Sequence, residues 1–313
     1  MKLLVLFFVV FTTIPSMARV QNRSIAVTID DLPVVSTRRD IANRQEITRK
    51  LLKHIKRANV PAIGFVNENK LYTDGRRDES QIDLLRMWLD AGLELGNHTY
   101  SHRSLNVIAL DDYLADIRKG ETLTKGLMIE RGRQLRFFRH PYLQTGRSPK
   151  VKAEVNIFLR DNGYSIAPVT IDNADYIFSR AYDLAFDNKD DKLLKQVGAV
   201  YVPYIERKLG YWERQSVKLF GREISQTLLL HANFINSDYF DDLAKMMKKR
   251  GYRFVSLDDA LKDTAYRLPD TFTGPGGISW LHRWALDKGR AQIVADEPRV
   301  PEFVLKASGF DSE

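Results

Sequence analysis

The sequence contains no cysteine among its 313 residues, and this absence excludes a wide range of chemistry. It rules out disulfide scaffolds, a thiolate nucleophile, iron–sulfur clusters and cysteine-ligated zinc. A bound metal ion would therefore need histidine, aspartate or glutamate ligands. A nucleophile would have to be a hydroxyl, a carboxylate or water.

Two other features that the sequence lacks exclude further classes of protein. Beyond the N-terminus, no apolar run approaches the length that spans a bilayer, so we expect no stable membrane insertion. No glycine-rich phosphate-binding loop of the dinucleotide or Walker type follows a predicted strand, so nucleotide binding has no support.

The charge is basic, with 48 lysines and arginines against 40 aspartates and glutamates and a net charge of +8. Charges of both signs are interspersed along the chain, which indicates a solvated surface and no nucleic-acid partner. A basic exterior would help the protein to approach anionic cell-wall or envelope polymers. The sequence does not indicate an oligomeric state.

The N-terminus has the layout of a secretory signal peptide. Lys2 precedes an apolar run at residues 3–11, and the small residues Ser16 and Ala18 precede a cleavage point after residue 18. A buried first strand is the alternative interpretation. We therefore expect residues 1–18 to be removed and the mature protein to be secreted, either to the periplasm or outside the cell.

Short apolar or β-branched runs alternate with helical stretches through most of the chain. The predicted strands are 24–29, 61–66, 93–96, 135–138, 164–171, 226–230 and 252–257. The predicted helices are 40–57, 79–91, 111–131, 149–162, parts of 178–218, 237–250 and 258–264. Seven strands alternating with helices indicate an α/β fold with a parallel sheet, closed or nearly closed into a TIM-like barrel.

Two regions depart from this repeat. Residues 184–222 are long for a single crossover, and we expect extra helices there that cap one side of the barrel mouth. Residues 265–313 follow the last barrel element, and we expect a short C-terminal extension packed on the barrel, which would span residues 19–264. In this extension Trp280, Leu281 and Trp284 fit one apolar helix stripe, so packing is favoured over sugar stacking.

Polar residues at the ends of the predicted strands carry the candidate chemistry, since barrels of this type place reactive groups there. Asp30-Asp31 follows the first strand, although adjacent carboxylates alone are more typical of turns or helix caps. His98 and His102 follow the third strand at a spacing that lets two imidazoles reach one ion. A buried pair of hydrogen-bonded histidines is the alternative.

Three later strand ends continue the pattern. Arg139-His-Pro-Tyr142 follows the fourth strand, and a buried arginine there would need a carboxylate partner such as Asp30. The fifth strand leads into Asp172-Asn-Ala-Asp175-Tyr176, and the sixth ends in Leu229-Leu-His231. A histidine directly after a buried strand either closes a core hydrogen bond or faces the site.

Taken together, these five motifs resemble those of the polysaccharide deacetylase family, also called the NodB-homology domain or carbohydrate esterase family four. The resemblance covers about residues 24–262. It implies a distorted (β/α)7 barrel that hydrolyses the N-acetyl group of an amino-sugar glycan such as chitin oligomers, peptidoglycan or an envelope polysaccharide. It also implies one divalent metal ion, zinc or alternatively Co2+, Mn2+ or Ni2+.

The resemblance also implies a role for each matching residue. Asp31, His98 and His102 are the expected metal ligands, and Asp30 is the expected catalytic base, held by Arg139. His231 is the expected general acid, oriented by Asp175, and the Tyr142 amide is the expected oxyanion donor. Leu229 and Tyr176 are expected to line the pocket for the acetyl methyl group.

The sequence also departs from the family pattern. Leu32 stands where glycine is usual, and we expect its bulk beside the metal to narrow the substrate groove. Two alternative functions stay open: a non-catalytic barrel that binds glycans, and a hydrolase of a cyclic imide or another small amide. The retention of Asp30 and His231, which binding alone does not need, argues against the first alternative.

Overall fold

The alternation of strands and helices produces a mostly parallel sheet covered by helices. The computed structural model describes residues 23–313, so the predicted signal peptide lies outside the described residues. The strands are β1 (Arg23–Val35), β2 (Ile63–Val66), β3 (Tyr72–Thr73), β4 (Arg76–Arg77), β5 (Glu94–Asn97), β6 (Phe137–Phe138), β7 (Ser165–Ile166), β8 (Gln226–Asn233) and β9 (Tyr252–Phe254).

Helices connect these strands and cover the outside of the sheet. The α-helices are α1 (Ile41–Ala58), α2 (Glu79–Asp90), α3 (Leu110–Lys119), α4 (Thr122–Ile129), α5 (Pro149–Asp161), α6 (Asp175–Asp187), α7 (Asp191–Phe220), α8 (Phe234–Lys249), α9 (Leu257–Ala260), α10 (Trp280–Asp287) and α11 (Glu302–Ser308). Within residues 23–313, no helix has the length and apolar character needed to cross a bilayer.

The main sheet has the order β7-β6-β5-β2-β1-β8, with β9 also paired to β1, and its neighbouring strands run parallel. After β7 the chain returns to the sheet at Ile171, which bridges Leu228 of β8. The sheet therefore curls towards closure. This topology confirms the predicted α/β fold with a distorted (β/α)7 barrel.

The strand at the centre of the sheet is buried on both faces. Ile25, Val27 and Ile29 of β1 are fully buried, as are Leu228 and Leu230 of β8. Because side chains on both faces of the strand are buried, its sequence is a nearly continuous apolar run. The polar residues that follow these runs therefore emerge together at the carboxyl edge of the sheet.

Two predicted elements are interrupted in the structure. The predicted strand 164–171 is regular only in β7, and Pro168, which cannot donate a ladder hydrogen bond, lies between β7 and the bridge at Ile171. The predicted helix 111–131 divides into α3 and α4 at Gly120. A Cβ at Gly120 would lie 2.4 Å from the carbonyl carbon of Thr99, so the division allows close packing against the loop that carries His98 and His102.

The prediction of several extra helices in residues 184–222 was wrong. The region is mainly the single helix α7, which packs against α6 and α8. Its aromatic residues, among them Tyr201, Tyr211 and Trp212, are almost fully buried, so they belong to the core. Further along, Trp280 and Trp284 of α10 are also buried, which confirms the packing interpretation of that apolar stripe.

Candidate functional site

The first strand distorts where its two carboxylates reach the edge of the sheet. Its pairing with β2 shifts register between Ile29 and Leu32, and its pairing with β8 shifts between Asp30 and Val35. Asp31 has a left-handed backbone with φ of 67°. A bulge of this kind re-aims side chains, and here it lets adjacent residues direct both carboxylates towards the same site.

Asp31, His98 and His102 form a cluster whose ligand atoms lie within 4.8 Å of one another. Asp31 Oδ1 is 3.5 Å from His98 Nε2 and 3.4 Å from His102 Nε2. Ligands of a tetrahedral zinc ion, with bonds near 2.1 Å, lie about 3.4 Å apart. Asp31 Oδ1 is also buried with no hydrogen-bond partner among the described residues. The donor set and its spacing fit one divalent metal ion.

The loop from residue 98 to residue 102 is held by hydrogen bonds from three directions. Asn67 Nδ2 donates to the His98 carbonyl at 2.7 Å, and the Asn97 side chain accepts from Thr99 N at 2.7 Å. Asp116 of α3 accepts from the amide and the hydroxyl of Ser101. These contacts stabilise a loop in which Thr99 and His102 have positive φ angles.

A backbone contact fixes which nitrogen of His98 faces the site. His98 Nδ1 lies 2.8 Å from the Arg139 carbonyl oxygen, which can only accept a hydrogen bond. Nδ1 therefore carries the proton and Nε2 keeps its lone pair for a metal. Burial holds the pKa of His98 well below its ordinary value, so the ring is neutral. Burial also lowers the pKa of His102, the second imidazole of the cluster.

Asp30 is a buried carboxylate beside this cluster. Its Oδ2 lies 3.8 Å from His98 Nε2 and 3.8 Å from Arg139 Nε, while Oδ1 has no hydrogen-bond partner in the described part of the chain. Burial raises the pKa of Asp30 to about 6, although the charges of Arg139 and His231 act in the opposite direction. An ionisable group with a free oxygen and a near-neutral pKa can accept a proton from water.

Arg139 is itself completely buried in the wall of the site. It donates a 2.7 Å hydrogen bond to Thr28 Oγ1 of β1, and its guanidinium lies 4.9 Å from the centre of the Phe65 ring. These contacts hold the cation against residues of β1 and β2. Its charge favours the ionised form of Asp30.

His231 and Asp175 form a second charged pair on the other side of the two aspartates. His231 is the β-ladder partner of Asp30. Its Nδ1 lies 2.6 Å from Asp175 Oδ1, and its backbone amide donates to Asp175 Oδ2. Burial alone would lower the pKa of His231, but Asp175, Asp31 and Asp30 together raise it to about 9. His231 is therefore a cation at neutral pH, with Nε2–H available to donate.

The three residues predicted to contact substrate occupy different positions. Tyr142 has a left-handed backbone and is 56% exposed, and its ring centroid lies 4.5 Å from that of His102. Tyr176 is also exposed, with its ring 6.4 Å from that of His231. Leu229 is buried in β8, two residues before His231. Alternate residues of a strand share a face, so Leu229 and His231 point to the same side.

Comparison with known proteins identifies a family that part of the chain resembles. Residues 18–157 match the model of the polysaccharide deacetylase family. This segment of the chain is similar to the polysaccharide deacetylase family. The matched segment contains Asp30, Asp31, His98, His102 and Arg139, whereas Asp175 and His231 lie beyond it.

Individual relatives are similar over most of the chain. The chitin deacetylase of Colletotrichum lindemuthianum is 25% identical over 251 residues, which are 80% of this chain and 84% of that protein. The solved structure of the polysaccharide deacetylase Bc1974 from Bacillus cereus is 16% identical and aligns with a TM-score of 0.51, over 74% of this chain and 91% of that one.

A third similar structure is a CE4 family pseudoenzyme, BA3943 from Bacillus anthracis, with 16% identity and a TM-score of 0.48 over 77% of this chain and 66% of that one. Structural likeness at such low identity extends to the fold alone. The chemistry of this protein therefore has to be argued from its own side chains.

The structure adds two polar residues that the sequence analysis missed. Lys70 donates a 2.8 Å hydrogen bond to the Asp31 carbonyl, and its Nζ lies 3.9 Å from Asp31 Oδ2. Burial alone would raise the pKa of Asp31, but Lys70 and the histidines hold this pKa well below its usual range. Asn236 of α8 donates a 2.7 Å hydrogen bond to Asp175 Oδ2. Lys70 follows the end of β2, and this position after a predicted strand is the sequence signal by which it could have been found.

The expectation that Leu32 narrows the substrate groove was wrong. Leu32 is completely buried, and its side chain packs over Gly64 of β2. A Cβ at Gly64 would lie 2.1 Å from Leu32 Cδ1. The leucine therefore fills a space in the core created by the glycine of the neighbouring strand.

Proposed function

We propose that this protein is a metal-dependent N-deacetylase of amino-sugar glycans, acting on chitin oligomers, peptidoglycan or an envelope polysaccharide. One observation carries the proposal: Asp31, His98 and His102, which could hold a metal ion, lie beside a buried carboxylate, Asp30, whose partner on the next strand is a cationic histidine, His231. This arrangement supplies both a base and an acid for amide hydrolysis. The chitin deacetylase relative supports the same reaction class.

Asp31, His98 and His102 would hold the ion, which we propose is zinc or alternatively Co2+, Mn2+ or Ni2+. When bound, it supplies a Lewis acid that makes water more acidic and polarises the acetyl carbonyl. Three protein ligands leave room for both of these oxygens. The low pKa values of both imidazoles keep them neutral and available as ligands.

Asp30 accepts a proton from the attacking water through the oxygen that has no partner in the resting site. Arg139 favours the ionised carboxylate, which is the form that accepts a proton. Attack on the acetyl carbon produces a tetrahedral oxyanion, and the Tyr142 backbone amide donates a hydrogen bond to it. Leu229 and Tyr176 enclose the acetyl methyl group.

His231 then delivers a proton to the amine that leaves with the sugar. Asp175 accepts from Nδ1, so the proton that moves is the one on Nε2. The nitrogen can accept this proton because it loses its amide resonance in the tetrahedral species, and its protonation lets the carbon–nitrogen bond break with a neutral amine as the leaving group. The products are acetate and a free amino sugar.

We further propose that the catalytic barrel spans residues 19–264 and that residues 265–313 are an extension packed on it. Support comes from α10 and α11, which pack against α7 and α6 respectively. Residues 1–18 would direct the protein out of the cytoplasm. Glycans of this class are found outside that compartment. N-terminal sequencing of the mature protein would test the cleavage after residue 18.

Acetate release tests the catalytic proposal directly. The purified protein should release acetate from N-acetylglucosamine oligomers or peptidoglycan, and both chelation and His98→Ala should reduce this release more than 100-fold. Calorimetric titration with zinc should show one site in the wild type and none in His98→Ala, with His54→Ala as the control. A protein that binds no divalent ion would overturn the proposal, and turnover of cyclic imides alone would reassign the substrate.

A further inference from the structure

A large cleft lies next to the reaction centre on the side of Tyr176. Its volume is about 990 Å³, which is the upper end of the range for sites that bind small molecules. The lining comes from four parts of the chain that are distant in sequence. They are residues 172–176, two positions of α7, residues 277–282, and the C-terminal segment 294–313.

The cleft and the reaction centre share a wall. Tyr176 lines the cleft and also packs edge-on against the His231 ring. Asp172, at the start of the same loop, lines the cleft too, and it acts electrostatically on Arg139 and His231. A ligand in the cleft would therefore begin where the substrate's amine leaves.

The outer wall is fastened by buried side chains of α7. Lys208, almost fully buried, lies 2.6 Å from Glu297 Oε1 and 3.1 Å from Glu313 Oε1. Tyr211 donates a 2.8 Å hydrogen bond to the Val294 carbonyl. Both ends of the C-terminal segment are thus tied to one helix, and the space between them stays open.

An aromatic pair stands at the rim of this cleft. Phe310 follows α11, and its ring centroid lies 5.7 Å from that of Tyr176 in an edge-to-face contact. The side chains are 43% and 42% exposed respectively. Exposed aromatic rings held by a fixed contact offer flat apolar faces at little entropic cost, and such faces suit the apolar face of a sugar ring.

We propose that this cleft binds further sugar units of the glycan chain, next to the unit that loses its acetyl group. The proposal rests on the proposed function, because a polymeric substrate must extend away from the reacting amide. Aromatic faces at the rim and exposed polar groups such as Arg299 and Asp311 match the alternating apolar faces and hydroxyl groups of a saccharide. The C-terminal segment is then part of the substrate site and makes the enzyme prefer oligosaccharides.

Blocking the cleft tests the proposal with little risk to folding. Ala295 lines the cleft and is exposed, so Ala295→Trp would fill the space. Ala291 is exposed four residues earlier, outside the lining, and Ala291→Trp is the matched control. With N-acetylglucosamine pentamer, Ala295→Trp should raise KM at least tenfold. Ala291→Trp should retain the wild-type KM for the pentamer.

A second pair of variants separates ring stacking from simple packing. Phe310→Leu keeps an apolar side chain but removes the ring, and Phe310→Trp keeps a ring. We expect the leucine variant to raise KM for the pentamer about fivefold and the tryptophan variant to retain the wild-type value. Phe303→Leu, an exposed phenylalanine of α11, should have no effect. Equal values for all three variants would overturn the role of the rim.

Binding measurements separate failure of this inference from failure of the proposed function. Calorimetric titration of the Asp30→Asn protein with pentamer needs no turnover, and Ala295→Trp in that background should weaken the affinity at least tenfold. If the wild type releases no acetate but this difference persists, the cleft is a glycan site and only the catalytic proposal fails. If acetate is released and Ala295→Trp matches Ala291→Trp in KM and affinity, the inference is wrong.

Discussion

Asp175 Oδ1 lies 2.6 Å from His231 Nδ1 and is completely buried at the first residue of α6. The pair joins β8, which carries His231, to α6. Asn236 also holds Asp175, because its Nδ2 donates a 2.7 Å hydrogen bond to Asp175 Oδ2. The histidine therefore has one orientation and a raised pKa of about 9, both of which a general acid needs.

The first prediction concerns the alkaline limb of the pH profile. Activity requires protonated His231, so kcat/KM should fall as the pH rises through the pKa of this group. Asp175→Asn removes the main charge that raises this pKa, and the limb should move at least one pH unit lower. The measurement is kcat/KM for acetate release between pH 5 and pH 10.

A matched control for this variant is Asp183→Asn, a buried carboxylate of the same helix whose partners are Ser36 and Thr37. It should leave the limb in place even if it lowers the melting temperature. If Asp175→Asn lowers kcat without moving the limb, His231 is not the group that titrates there, and its assignment as the general acid fails.

The second prediction concerns the acidic limb. Asp30 accepts a proton only when ionised, so activity falls as the pH decreases through its pKa. Arg139 acts to lower this pKa. Arg139→Met should therefore move the acidic limb to higher pH, whereas Arg139→Lys should keep it near the wild-type position.

Arg139→Met also leaves a buried carboxylate without its partner, which typically costs about 3–5 kcal/mol of stability. The melting temperature of each variant should therefore be measured together with its pH profile. Arg136→Met removes an exposed pair with Asp258 and serves as the control. An unchanged acidic limb in a folded Arg139→Met protein would contradict the assignment of Asp30 as the base.

The third prediction concerns the contact of Leu32 with Gly64. Gly64→Ala would place a methyl group inside the Leu32 side chain, and overpacking of this kind costs about 1–3 kcal/mol. Leu32→Ala removes the obstacle at its own cost of about 2–5 kcal/mol. Chemical unfolding of both single variants and the double variant should show that Gly64→Ala costs less in the Leu32→Ala background. If the unfolding free-energy changes of the two single variants add up to that of the double variant, the contact between Leu32 and residue 64 is not the cause of the destabilisation.

The sequence was sufficient to predict the barrel and most of the polar edge, because strands buried on both faces appear as uninterrupted apolar runs. Asp30 and His231 each follow such a run, whereas His98 and Arg139 follow shorter predicted strands that contain Glu94 and Arg136. All four follow a predicted strand, so their common location could be predicted. The Leu32 error had a different cause: its neighbour, Gly64, is close only through the pairing of β1 with β2. Sequence spacing contains no information on such a contact.

The cleft beside Tyr176 was also beyond sequence reasoning, for a related reason. It is assembled from four segments spread between residues 172 and 313, and Lys208 contacts the last of them through ion pairs that no local pattern indicates. The apolar stripe of α10 correctly predicted packing. It did not predict that the remainder of the extension forms one wall of a cavity.

The last prediction links the C-terminal extension to the turn that carries Tyr142. A Cβ at Gly277 would lie 1.6 Å from the Tyr142 carbonyl oxygen, so Gly277→Ala must displace this turn. Displacement of about 1 Å can cost a factor of about 100 in rate, and we expect kcat to fall 10- to 100-fold with little change in zinc affinity. At Gly276 an added Cβ has no neighbour within 4 Å, so Gly276→Ala should retain wild-type kcat. Equal kcat values for the two variants would show that the Tyr142 amide does not need this support.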